Sequence, residues 1–209
     1  MATDMKRILV TAFEPFGGDP VNPTESVLRA LPFEIPGARI EKLLLPVEFG
    51  LAPELLLAGY RELLPDAVVC FGQAGGRSAV TPELYAVNLM NARIPDNSGF
   101  MPSNVPVIKG GEERLVSRLP VWEMIARIRG EGLPAEISFS AGEFVCNCLM
   151  YSALALIPES VPAGFVHVPF IREQVEGVPG REGKPFMELG DAAAAALLAI
   201  EALADRSGF

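Results

Sequence analysis

The chain has 209 residues, 50% of them apolar, which suits one domain with a sizeable core; a domain of this length buries roughly 70% of its unfolded surface and needs no covalent staples. Its 26 acidic residues outnumber 17 lysines and arginines for a formal charge of −9, and they are scattered, so phosphate backbones and anionic lipid are repelled and nucleic acid and membrane surfaces are not expected partners. No apolar run reaches the roughly 20 residues that span a bilayer as a helix, and three cysteines without framework spacing argue against a disulfide scaffold.

The chain opens MATDMKRILVTAF, with neither a long apolar stretch nor a small-residue cleavage site, so a cytoplasmic protein is expected. KRILVTAF (6–13) reads as a strand followed by the Pro/Gly-rich loop EPFGGDP. PTESVLRALP then has helical periodicity, with Thr24 as its cap and Pro32 as its stop. ARIEKLLLPV (38–47) alternates like a strand, GLAPELLLAGYRELL (50–64) is an amphipathic helix stopped by Pro65, and DAVVCFG (66–72) is a buried strand leading to the loop QAGGRSA. ELYAVNLMNARI (83–94) reads as extended. Between Pro95 and Pro120 lies a polar Pro/Gly-rich stretch, long enough to be functional or mobile. A helix at VWEMIARIRGEG, a strand at AEISFSAG, a helix at FVCNCLMYSALAL, a strand at GFVHVPF and a last helix at MELGDAAAAALLAIEALA complete the chain.

Strands interleaved with helices imply an α/β sheet covered on both faces, here one domain over 1–209 with no repeat or linker. Ligands of such sheets gather beyond the carboxyl ends of strands, and four strand exits carry unusual residues: FEPFGG, GQAGGR, SAGEFVC and HVP.

Cys146 falls where a strand gives way to a helix. Free N–H groups and the positive dipole end favour a thiolate there, the reactive form of cysteine. Position alone fits a buried structural cysteine more readily. His167, the chain's only histidine, sits in an apolar strand before proline. A lone strand histidine is more often a satisfied core residue, yet a nucleophilic cysteine needs a base, and no other imidazole is available. Glu83 opens the strand after GQAGGRSAVTP. It would orient the ring as a third member, although spacing alone fits an ordinary surface glutamate more readily. With one histidine and Cys146 two residues from Cys148, no metal site is expected. The glycines of GQAGGR fit no phosphate-cradle pattern and are read as backbone that lets a ligand approach closely; Phe13 and Phe16 suggest an apolar pocket wall.

Six segments resemble the pyroglutamyl peptidase I family, also called pyrrolidone-carboxylate peptidase, in order and spacing: VTAFEPFGGDPVNPTE (10–25), LPVEFG (45–50), CFGQAGGRSAVTPELYAVN (70–88), ARIPDN (92–97), SFSAGEFVCN (138–147) and GFVHVPFIREQ (164–174). The resemblance implies a cysteine peptidase that removes an N-terminal pyroglutamyl residue from peptides through an acyl-enzyme. Its nucleophile would be Cys146, its base His167 and its acid Glu83. Phe13, Phe16, Ile94, Phe144 and Val145 would wall the lactam ring, Gln73 would hydrogen-bond it, and Arg93 would lie close to the cysteine. It further implies an open α/β/α sandwich with a mixed, mostly parallel sheet, no cofactor, and a homotetramer. The chain departs from the family pattern at Ala12, where glycine is usual, at Asn91, where aspartate is usual, and in GGEERLVSRLP (110–120), which lacks an aromatic. These touch loop geometry and substrate entry and leave the triad untouched. Two rivals remain on the residues alone: a nucleoside-phosphorylase-like enzyme using GGR for phosphate, which phosphate rather than iodoacetamide would protect, and a non-catalytic lactam-binding module, which a pyroglutamyl substrate assay would expose.

Overall fold

The computed structural model describes residues 5–205; residues 1–4, part of the opening segment read above for a leader, lie outside that range, as do 206–209. In chain order the elements are β1 (Lys6–Phe13), α1 (Pro23–Ala30), β2 (Glu34–Ile35), β3 (Ala38–Leu45), α2 (Leu51–Leu63), β4 (Ala67–Gln73), β5 (Thr81–Pro82), β6 (Tyr85–Val87) and β7 (Arg114–Val116). There follow α3 (Val121–Gly130), α4 (Val145–Leu156), β8 (Ala163–Val168), β9 (Phe170–Ile171), β10 (Phe186–Met187) and α5 (Leu189–Ala204).

β3, β1, β4 and β8 pair in parallel in that order, and the short β2 and β5 close the two edges antiparallel. The mixed, mostly parallel sheet expected from the alternation is therefore present. The parallel strands β1, β4 and β8 read as nearly unbroken apolar runs because both faces are covered, whereas β3, with Arg39, Glu41 and Lys42, alternates. Odd and even positions bury into different layers. Ile8, Val10, Val69, Phe71, Val166 and Val168 pack with the helices α1, α3 and α5, whereas Leu9, Val68, Cys70 and Phe165 pack with α2 and α4. Each large aliphatic side chain so enclosed contributes about 1.5–3 kcal/mol of transfer free energy.

Four elements differ from the sequence expectations. The cap of α1 is Asn22, whose Oδ1 accepts from Thr24 N at 3.0 Å, with Pro23 in the first helical turn where its missing N–H is harmless. The Thr24 hydroxyl instead accepts from Phe13 N at 3.1 Å and so ties the end of β1 to the start of α1. Of the expected extended run 83–94, only Tyr85–Val87 forms a strand, and its partner β7 comes from within the long Pro95–Pro120 stretch. AEISFSAG is not a strand. It touches the 80–83 segment through two isolated bridges, at Ala135 and Ser138, after which side chains take over from the ladder. Ser138 Oγ donates to Ser140 O at 3.2 Å, and Ser140 Oγ accepts from Gly142 N at 3.2 Å, bending the chain toward α4.

The 95–120 stretch is fastened rather than loose. Asp96, almost fully buried, accepts from Ser98 N, Ser98 Oγ and Phe100 N through Oδ1 and from Phe49 N through Oδ2, at 2.7–3.0 Å. Asn88 binds Ile108 from both ends of its amide, and Tyr151 of α4 donates to Glu112 O at 2.6 Å. At the far end, Arg118 donates to Leu154 O, Val161 O and Ile157 O, gripping the C-terminus of α4.

Candidate active site

The site is assembled at the carboxyl ends of β1, β4 and β8. Gly72 of β4 lies in register with His167 of β8, and both face the α4 side of the sheet with Phe165 and Cys70. A Cβ added at Gly72 would stand 2.9 Å from Cys146 Sγ and 2.5 Å from the Phe165 ring. The sulfur therefore rests directly on the bare backbone of Gly72, one strand spacing of about 4.8 Å from the strand that carries the imidazole. Two of the three glycines of GQAGGR thus accommodate the chain's own groups: Gly72 takes the sulfur, and Gly75 takes the Phe170 ring, which would stand 2.1 Å from an added Cβ, while Gly76 faces open space with φ +91°. The close approach expected of a ligand belongs to these side chains.

Behind the ring lies Glu83, with no exposure, held where Glu83 N donates to Phe165 O at 2.9 Å. Its Oε1 receives His167 Nδ1 at 2.7 Å. The same oxygen receives Arg77 Nη1 at 2.7 Å, and Arg77 also donates to the Thr81 hydroxyl and to Ser140 O. Glu83 Oε2 is buried without a hydrogen bond of normal geometry, although the Ser138 hydroxyl also favours the charged form. Burial alone would push the Glu83 carboxyl up; the His167 hydrogen bond and charge, with Ser138 and Arg77, outweigh it and hold it below the usual carboxylate range. An ionised Glu83 makes Nδ1 the protonated nitrogen of His167 and leaves Nε2 as the acceptor. Burial depresses the His167 pKa, Arg77 adds to that, and Glu83 opposes it.

Cys146 is the second residue of α4 and stays partly open to the cleft, yet its sulfur is pressed against the sheet. Burial, reinforced by the Glu83 charge, pushes its thiol up to about 12, with Arg77 and the residue's own N–H pulling the other way. This direction opposes the thiolate expected from the helix end. Among the described residues no hydrogen bond joins the sulfur to the ring; both line one cleft with Phe16, Gln73, Ala74, Arg77, Ser140 and Phe144. Nor does any side chain cap α4, whose N-cap is Phe144 and whose first turn holds no acid. The N–H groups of Val145, Cys146 and Asn147 consequently have no helical acceptor. The Asn147 side chain bridges Val87 N, Val87 O and Leu89 O, each at 2.9 Å, and pins this end of the helix to β6.

A narrow apolar pocket opens beside the sulfur, walled by Phe13, Phe16, Val47 and Phe144, with Asn22 and Gln73 as its polar members. Phe16 and Phe144 face each other at 6.1 Å between ring centroids. Of the residues expected at the site, Glu83, Cys146, His167, Phe13, Phe16, Gln73 and Phe144 are brought together. Val145 is fully buried in the α4 core, and Arg93 and Ile94 are exposed, Ile94 lying over Gly17; none of these three lines either cavity. The expectations missed Arg77, Asn22 and Gln174. Each stands inside a segment that carried the resemblance; Arg77 reaches Ser140 and Gln174 reaches Gln73 across long stretches of chain, whereas Asn22 is held locally by Glu14 O and Thr24 N. Of the departures, Asn91 donates to Glu143 Oε2 at 3.0 Å, an acceptor that an aspartate could not serve, and Ala12 is buried in the core.

The pyroglutamyl peptidase family model matches residues 6–206. Pyrrolidone-carboxylate peptidase 1 of Streptococcus pneumoniae is 45% identical over 202 residues, covering 95% of this chain and 93% of that one. A pyrrolidone-carboxylate peptidase of Streptococcus pyogenes is 43% identical over 204 residues, covering 96% and 95%. Among solved structures, Bacillus amyloliquefaciens pyroglutamyl peptidase I superposes with a TM-score of 0.90 at 36% identity, covering 96% of this chain and 98% of that one. Thermus thermophilus pyrrolidone carboxyl peptidase gives 0.87 at 39% identity, covering 93% and 98%. Sequence and three-dimensional likeness both extend along nearly the whole chain, through the strands and the α4 helix that frame the cleft, and this chain belongs to the pyroglutamyl peptidase family.

Proposed function

We propose that Cys146, His167 and Glu83 act as nucleophile, base and orienting acid in the removal of N-terminal pyroglutamate from peptides, the reaction of a cysteine-type pyroglutamyl peptidase. The observation that carries this reading is the seat of Cys146 Sγ on Gly72, beside a histidine whose other nitrogen is held by a buried carboxylate. The chemistry of the pocket agrees. Pyroglutamate has no charged amine, since its nitrogen is closed into a lactam, and the pocket offers aromatic walls and two amides without any ionised side chain.

His167 Nε2 takes the thiol proton as sulfur attacks the carbonyl that follows the ring. A sulfur–carbon bond forms, and the oxyanion is held by the uncapped N–H groups at the start of α4. The carbon–nitrogen bond then breaks, with the proton passing from imidazolium to the leaving amine. Water, deprotonated by His167, cleaves the thioester to release 5-oxoproline and restore the thiol. The upward push on the thiol favours proton transfer in concert with attack. Arg77 locks Glu83 to the Ser140 turn and so fixes the acid that fixes the ring.

The test is release of a chromophore from a pyroglutamyl amide. Cys146→Ala is expected to abolish turnover, by about 10⁴-fold or more. Cys148→Ser is expected to keep most activity, because Cys148 is buried against Phe49 O and Met90 and does not line the cleft. Full rate in Cys146→Ala would refute the assignment. The proposal includes one domain over 1–209, a homotetramer and a cytoplasmic location, supported by the resemblance and by the absence of any membrane-length apolar helix among the described residues. Light scattering of the purified protein tests the assembly.

A further inference from the structure

Gln174 lies in the 3-10 turn Arg172–Gln174 after β9, nearly fully buried at 3% exposure, and lines neither the lactam pocket nor the cleft. Two backbone groups fix the orientation of its side-chain amide. Oε1 accepts from Ile171 N at 3.2 Å, and Nε2 donates to Val21 O at 3.2 Å. A peptide N–H can only donate and a peptide C=O can only accept, so this amide cannot be turned over without stranding both. The remaining N–H of Nε2 points to the side chain of Gln73 at 2.8 Å. What meets it must be an acceptor, so Gln73 is obliged to present Oε1 to Gln174. Its own NH₂ then faces away, and among the described residues that group has no hydrogen-bond partner.

We infer that Gln174 is a positioning residue that sets the polarity of the lactam pocket, by forcing Gln73 to offer a donor, never an acceptor, to the ring. An unrestrained glutamine can rotate its amide by half a turn and satisfy either a carbonyl or an N–H. This one cannot, so the pocket reads the ring carbonyl specifically. The inference rests on the reading that Gln73 meets the lactam, and adds what dictates the sense of that contact. A group that merely packed would have no reason to be wired to two backbone partners and to one atom of a pocket amide. The energy involved is that of one buried hydrogen bond made to the right atom, and mismatch leaves a buried donor or acceptor unpaired.

Gln174→Glu keeps size and the acceptor for Ile171 N but offers Gln73 no donor. With a pyroglutamyl chromophoric amide, KM is expected to rise about tenfold with kcat within about threefold, the pattern of a contact made equally in ground and transition states. Competitive inhibition separates polarity from packing. Binding of 2-pyrrolidone should weaken in parallel with KM, whereas cyclopentanecarboxamide, a ring of similar shape without the ring carbonyl or N–H, should bind as it does to the unaltered protein. Equal weakening of both inhibitors would mean a collapsed pocket and overturn the inference. Gln73→Glu provides an independent arm at a partly exposed position: it keeps the acceptor for Gln174 and removes the donor, and should give the same rise in KM. Unchanged KM in Gln73→Glu overturns the inference even if Gln174→Glu does not fold. If the unaltered protein fails to cleave the amide at all, the functional reading fails instead, a result distinct from either.

Discussion

Glu83 and Asp96 are both buried carboxylates, both held below the usual range, and they are built in opposite ways. Asp96 fills its oxygens with four donors, three from Ser98 and Phe100 of its own loop and one from Phe49 N just before α2. Burial pushes it up, and these hydrogen bonds more than compensate. Glu83 loads one oxygen with the imidazole of β8 and the guanidinium of Arg77, six residues earlier in the loop after β4, and leaves the other without a regular partner. A carboxylate that only shapes the backbone saturates itself with N–H and hydroxyl groups. One that acts through a ring is stabilised mainly by that ring, so its charge is felt where the chemistry occurs.

That contrast can be broken most decisively at Glu83. Glu83→Gln should lower kcat/KM by about 10³-fold, since the ring loses both its fixed tautomer and the stabilisation of imidazolium, with little change in melting temperature. A loss below tenfold would reduce Glu83 to the same structural class as Asp96. Arg77→Met should cost about 10–100-fold in kcat with KM nearly constant, because its guanidinium holds Glu83 in place without lining the lactam pocket. Asp96→Asn should do the reverse, destabilising the fold by about 1–3 kcal/mol in denaturant titrations while turnover per folded molecule stays within about twofold. The depressed pKa of Asp96 also fixes the sign with pH. Its contribution is complete above the unfolded value of about 3.9 and is lost as pH falls through the lower folded value, so the gap between Asp96→Asn and the unaltered protein should narrow in acid.

The smallest and sharpest effect is on the pH profile. The base must be neutral, and burial depresses His167, so the acid limb of kcat/KM should lie below the ordinary histidine value of about 6.5. Glu83 raises the pKa of the ring, so its removal in Glu83→Gln should move the residual activity's acid limb to still lower pH. A limb shifted upward would contradict the charge account.

The four parallel strands and all five helices could be read from periodicity because each is a local pattern: an apolar run such as KRILVTAF, or a stripe ended by proline or glycine; the two-residue edge strands β2 and β5 carry no such pattern. Elements whose bonds come from elsewhere escaped. AEISFSAG has the composition of a strand, but its serines bind their own backbone and bend it away. The helix-end argument favoured a thiolate at Cys146, yet the burial of the sulfur against Gly72, which reverses the direction of its pKa, arises from β4, far earlier in the chain. The walls Phe13, Phe16 and Phe144 were legible through resemblance, whereas the Gln174–Gln73 and Arg77–Glu83 links depend on which side chains the fold sets facing, something no linear spacing records.

One segment secures α4 at both ends. Asn147, beside Cys146, is anchored to Val87 and Leu89 where the segment begins, and Arg118, where it ends, grips carbonyls at and just beyond the end of the helix. The helix therefore cannot slide or roll on the sheet unless this outer arm moves with it. The arm behaves as a mount for the sulfur, and substitutions far out along it offer a route to altering turnover without touching any group that meets the substrate.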